Sequence, residues 1–126
     1  MKVVVDSSAI LALLWQEPGH EKVLALMDDA IVSTVNLAEV FSKCTERGID
    51  TAAVRKLFVA LAVKVLPFDE QHAAMAGDLR KETRQFGLSL GDRACLATAS
   101  AEKCQVVTAD KAWMNVKVGV SVIVVR

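Results

Sequence analysis

Residues 2 to 5, KVVV, are β-branched without alternation and run directly into an acid, Asp6. A strand with one wet face alternates apolar and polar residues. An unbroken apolar run means that both faces are covered, as in parallel sheets layered between helices. Further short strands are predicted at AIVST (30–34), VKVLPF (63–68, stopped by Pro67), QVVT (105–108) and SVIVV (121–125). Between them the apolar spacing turns helical. One helix is expected from about Ser8 to Trp15, and another over 21–29 on Val23, Leu24, Leu26 and Met27. A third starts at Thr34, with Leu37, Val40, Phe41 and Cys44 at i, i+3, i+4 and i+7, and is closed by Gly48. Helices follow over 51–62, over 69–86 as one long element closed by Gly87, and over 88–99. Strands alternating with helices predict an α/β fold with a mostly parallel central sheet.

The 126 residues carry no linker, repeat or low-complexity stretch, and Pro18 with Gly19 is the strongest local punctuation, so residues 1–126 are expected to form one domain. The longest apolar run, LFVALAV at 57–63, is far short of the roughly 20 residues that cross a bilayer, so no membrane partner is expected. The start, MKVVVD, lacks the apolar stretch of a signal peptide and predicts a cytoplasmic location. Cys44, Cys95 and Cys104 are odd in number with no CxxC and are read as reduced core thiols. Lys plus Arg equals Asp plus Glu at 15 each, so no global positive field announces a nucleic-acid partner, and any such partner must be held locally. Arg80, Lys81 and Arg84 form the one evident basic face.

In open parallel sheets the ligand crevice lies outside the carboxyl ends of the strands. Asp6 directly follows the first strand, and Asp110 comes two residues after QVVT. Asp92 falls in the first turn of one helix and Glu39 in the second turn of another. Each acid has an ordinary structural reading. Asp6 caps a helix, and Ser89 with Asp92 has the spacing of a capping box. Glu39 is placed for a solvated pair with Lys43, and Asp110 for a turn. These readings stay open singly, but they leave unexplained why the acids gather at one edge.

Two unshielded carboxylates roughly 5 Å apart repel by about 3 kcal/mol at an effective dielectric near 20. A divalent cation that prefers oxygen removes the conflict, and carboxylate ligation suits Mg²⁺ or Mn²⁺. His20 and His72 lack metal-ligand spacing to another His or Cys, which disfavours zinc and leaves them surface or capping roles. Such a cation activates water and offsets charge on a phosphodiester, so hydrolysis of a nucleic-acid backbone is the matching chemistry, with the basic face available for phosphates and Arg93 for phosphate or for a neighbouring acid.

VVVDSSAILALLWQEPG, NLAEV at 36–40, LSLGDRACLATA at 88–99 and VVTADKAW at 106–113 together resemble the PIN-domain ribonucleases of the VapC toxin type, in the family's order and over nearly the whole chain. The resemblance implies a three-layer sandwich, Mg²⁺- or Mn²⁺-dependent endonuclease cleavage of RNA, a homodimer and a small antitoxin protein. It places Asp6, Glu39, Asp92 and Asp110 on the acidic metal-binding positions, and Ser7 and Thr108 where hydroxyls assist that cluster. Lys111 stands where Arg is frequent. The region of Met114 and Asn115 lacks an acid found in some relatives, and Trp113 is read as packing rather than base stacking. Two alternatives remain. One is a PIN fold serving only as a binding module. The other is a phosphoacceptor receiver domain using Asp69, which leaves Glu39 and Asp92 idle.

Overall fold

A computed structural model describes residues 1–126. The chain runs β1 (Lys2–Val5), α1 (Ser7–Trp15), α2 (His20–Ala25), β2 (Asp29–Ser33), α3 (Thr34–Glu46), α4 (Thr51–Ala60), β3 (Lys64–Leu66), α5 (Glu70–Asp78), α6 (Arg80–Thr83), α7 (Leu90–Glu102), β4 (Gln105–Thr108) and β5 (Val122–Val124). Short 3-10 turns cover Arg84–Phe86 and Lys111–Trp113. The five strands form one sheet in the order β3-β2-β1-β4-β5, and every pairing is parallel.

The unalternating strands are explained by the two cores. Val3 and Val5 face one layer, with Ile10, Val23, Val40 and Phe58. Val4, between them, faces the other, with Ile31, Leu96, Val106 and Trp113. Both sides of β1 are therefore dry, and α1 to α4 lie on the face opposite α7. Trp113 is fully buried, so its role is packing. Cys44 and Cys95 are buried free thiols and Cys104 is partly exposed. No helix is long and apolar enough to cross a membrane.

Three sequence expectations are corrected. The long helix over 69–86 is interrupted at Leu79 and ends in a 3-10 turn before Gly87. The Thr83 hydroxyl donates to the Leu79 carbonyl at 2.7 Å, which already accepts the Thr83 N–H at 3.0 Å; such back-bonding bends helices. The helix over 21–29 covers only His20–Ala25 before the chain turns into β2. His72 is neither on the surface nor a cap: it is 6% exposed against Phe68, and Asp69 caps α5 through the His72 backbone N–H at 2.9 Å.

The order of the strands determines where a site can lie. The connections from β1 to β2 to β3 move outward on one side, whereas β4 returns to the other side of β1. The crevice of such a sheet opens where that reversal occurs, at the carboxyl ends of β1 and β4. Asp6 follows β1 and Asp110 follows β4 by two residues. The backbone ladder carries on to this point, with the Asp6 N–H bonded to the Val107 carbonyl at 3.1 Å.

Candidate functional site

Asp6 is the N-cap of α1 and is only 2% exposed. Its Oδ1 accepts the Ala9 N–H at 2.9 Å and the Ser8 hydroxyl at 2.7 Å, while Oδ2 accepts the Thr108 hydroxyl at 2.5 Å. Ser8 Oγ in turn accepts the Ala109 N–H at 2.9 Å, and Thr108 Oγ1 accepts the Asp110 N–H at 3.1 Å. The ends of β1 and β4 are thus stitched together through one carboxylate and two hydroxyls. Even so, burial pushes the Asp6 carboxyl up to about 6, with the charge of Asp92 adding to the effect, against the lowering influence of Thr108, Ala9 and Ser8.

Asp92 lies in the first turn of α7, and the capping box expected from its spacing is present. Ser89 Oγ accepts the Asp92 N–H at 3.2 Å and Asp92 Oδ2 accepts the Ser89 N–H at 2.9 Å. Burial raises the Asp92 carboxyl above its ordinary value; the bonds from Ser89 oppose this, Asp110 pushes it further up and Arg93 pulls it down. Asp110 is exposed and its Oδ1 caps the Lys111–Trp113 turn through the Ala112 N–H at 2.9 Å. The structural readings of Asp6, Asp92 and Asp110 therefore hold alongside their placement at one edge.

Glu39, half-buried on α3, does not pair with Lys43, which bonds Glu46 at 3.9 Å instead. Its Oε1 accepts from the Ser7 hydroxyl at 3.2 Å and from Asn36 Nδ2 at 3.1 Å. The opposing residue on α7 is Gly91, where a Cβ would lie 2.7 Å from Glu39 Cδ and 2.8 Å from Oε2. The missing side chain lets the carboxylate lie against the helix that carries Asp92. Beneath them, Cys95 is fully buried, and its thiol is held well above the ordinary thiol value by burial first and then by Asp6, Asp92, Cys104 and Glu39. One sulfur thus feels three of the four acids at once, and it stays protonated.

Arg93 lies beside a neighbouring acid, Asp92, whose carboxyl its charge lowers. Its Nη1 donates to the Ala76 carbonyl of α5 at 3.0 Å and its Nε is buried without a partner. It is a strut between α7 and α5 that also lends charge to Asp92. Three contributors escaped sequence reasoning: Ser8, Asn36 and Gly91. Asn36 stands three residues before Glu39, the spacing of side chains on one helix face. Ser8 was overshadowed by Ser7, although a helical turn carries the two in different directions.

No group of three His, Cys, Asp or Glu side chains converges closely enough to hold a metal ion as the side chains stand. The donor set nevertheless fits a hard cation. It consists of carboxylate and hydroxyl oxygens, the carboxyls of Asp6 and Asp92 are raised partly by acidic neighbours, and none of the chain's ion pairs includes Asp6, Glu39, Asp92 or Asp110. The receiver reading fails on topology and chemistry. Receivers order their sheet 2-1-3-4-5, whereas here β3 is an edge strand beside β2 and Asp69 is occupied in capping α5.

A family model described as PIN domain matches residues 3–119. No curated protein matches the sequence. Among solved structures, a toxin–antitoxin complex from Klebsiella pneumoniae superposes with a TM-score of 0.76 at 16% identity, covering 99% of this chain and 98% of that one. DNA-bound VapBC from Salmonella typhimurium gives 0.73 at 20% identity, covering 100% and 99%. VapC20 of Mycobacterium tuberculosis, described as a sarcin-ricin loop cleaving toxin, gives 0.71 at 18% identity, covering 95% and 99%. At these identities the likeness establishes the fold.

Proposed function

Because the chain belongs to the PIN domain family, we propose that it is a metal-dependent endoribonuclease, the toxin of a VapC-type toxin–antitoxin pair. The observation that carries this reading is the gathering of Asp6, Glu39, Asp92 and Asp110, from four separate segments, around the reversal point of the sheet with none of them in an ion pair. These four would hold Mg²⁺ or Mn²⁺. When bound, the ion supplies an activated water and offsets charge on the phosphodiester.

The chain's own residues prepare for that ion. Ser8, Thr108 and the Ala9 N–H fix Asp6; Ser7 and Asn36 fix Glu39; and the capping box holds one oxygen of Asp92. Arg80, Lys81, Arg84 and Lys111 are exposed and in no ion pair, so they are free to hold flanking RNA phosphates. Arg93, tied to Ala76, supports Asp92 rather than reaching substrate. The comparison structures that are toxin–antitoxin complexes support an antitoxin partner. A homodimer through the Ala and Val residues of 51–63 is part of the same proposal; Val59 there is 82% exposed, as an interface would require. The protein would act in the cytoplasm.

One observation favours a second reading, a PIN fold that binds RNA without cutting it: the carboxylates do not converge in threes. A single assay separates the two. Purified protein should cleave RNA with Mg²⁺ or Mn²⁺ and not with a chelator, and Glu39→Gln or Asp92→Asn should lose cleavage. RNA bound but uncut under all conditions supports the silent module instead. Growth arrest on expression, relieved by a co-expressed antitoxin, tests the toxin assignment.

A further inference from the structure

The carboxamide of Asn36 is completely buried, although it lies at the edge of the acid cluster. Its two Nδ2 protons are both committed: one to Glu39 Oε1 at 3.1 Å, within α3, and one to the Gly91 carbonyl at 3.1 Å, on α7. Its Oδ1 has no partner. Leaving a buried carbonyl oxygen without a donor is unfavourable, yet the opposite orientation is worse, since it would point Oδ1 at a carboxylate and a carbonyl, both acceptors. The amide orientation is thus dictated by its two acceptors.

We infer that Asn36 is a positioning residue that sets the Glu39 carboxylate against the first turn of α7 and thereby fixes the spacing between Glu39 and Asp92. The inference rests on the proposed metal-dependent site and adds a residue to it. Glu39 has three rotatable bonds and is half-exposed, so on α3 alone it would sample many positions. Gly91 provides the space for it, and the Asn36 amide, bonded to Gly91 and Glu39 together, provides the direction. Ser7, from α1, supplies the third point of the clamp at 3.2 Å. Partners that orient ligating groups commonly matter 10–100-fold in metal affinity.

The test is Mn²⁺ titration by calorimetry on the full chain, with thermal melts of each variant, in a double-mutant cycle. Asn36→Ala should weaken Mn²⁺ binding about ten-fold or more, lower kcat on RNA and leave KM for RNA unchanged. In a Glu39→Gln background the same substitution should produce no further loss of Mn²⁺ affinity, because the group it positions is gone. Asn36→Ser, which keeps one donor, should recover part of the affinity, and it replaces the alanine variant in the cycle if that variant fails to fold. Equal losses with and without the Glu39 carboxylate would mean that Asn36 only holds α3 to α7, and would overturn the inference, as would unchanged Mn²⁺ affinity. If instead the unsubstituted chain binds no Mn²⁺, the proposed site itself is wrong, an outcome distinct from a failure of Asn36 alone.

Discussion

Replacing Asp6 by Asn should make the metal-free protein more stable at neutral pH, although it alters a buried, triply bonded carboxylate. The folded-state carboxyl is raised from 3.8 to about 6, chiefly by burial. Two pK units at 1.36 kcal/mol each amount to about 3 kcal/mol of destabilisation when the group is ionised. At 2% exposure there is little solvent to screen it.

Asparagine fits the same partners. Its Oδ1 keeps the Ala9 and Ser8 donors, its Nδ2 donates to Thr108 Oγ1, and the freed Thr108 proton turns to Ser8 Oγ, 3.1 Å away. Allowing about 1 kcal/mol for weaker neutral hydrogen bonds, the net gain is about 2 kcal/mol. For 126 residues at about 2.1 cal/mol/K each, that is a rise in Tm of about 8 °C.

The pH dependence has a definite sign. Between 3.8 and about 6 the folded parent binds a proton that the unfolded chain does not, so its stability rises as pH falls. The advantage of Asp6→Asn is therefore full above pH 7, shrinks through 6, crosses zero between about 4 and 5 and is reversed by about 1 kcal/mol in more acid solution. Calorimetric or fluorescence melts with chelator from pH 7.5 to 4.5 measure it. Adding Mn²⁺ should then raise the Tm of the parent and not of the variant. A variant that melts below the parent at pH 7.5, or a gap that stays flat with pH, refutes the reasoning.

Two further outcomes are expected. Gly91→Ala should leave Tm within a few degrees of the parent, since alanine favours the helix by up to about 1 kcal/mol, which offsets the loss of the Ser7 and Asn36 bonds as the Glu39 carboxylate is pushed aside; the Mn²⁺-induced rise in Tm should fall, and an undiminished rise would show that Glu39 has no part in it. Ser89→Ala removes one half of the capping box and should cost about 1 kcal/mol, roughly 4 °C, in chelator melts; no loss would mean that the first turn of α7 is held by packing alone.

The strands were legible because Val3, Val4 and Val5 must each find apolar cover, whichever way they point, and only a sheet buried on both sides provides it. The edge that gathers the acids followed from the same fact. What escaped the sequence depends on contacts between elements. The Ser7 and Ser8 hydroxyls are alike in sequence, yet one reaches Glu39 on α3 and the other reaches Thr108 on β4. The side chain of Arg93 was directed by a carbonyl on α5, and periodicity carries no trace of that bond. The break at Leu79, whose carbonyl accepts the Thr83 hydroxyl, falls inside an otherwise regular pattern.

The bond from Thr108 to Asp6 joins residues 102 apart, and it closes where β4 takes its place beside β1. During synthesis Thr108 follows Asp6 by 102 residues, so the two halves of the pocket are made far apart in time. A nascent chain halted anywhere before Gln105 lacks the strand that completes the crevice, and contacts of such long sequence separation form slowly. The acids that flank β1 and β4 therefore share no pocket until β4 has been made and has paired with β1, a delay imposed by strand order alone.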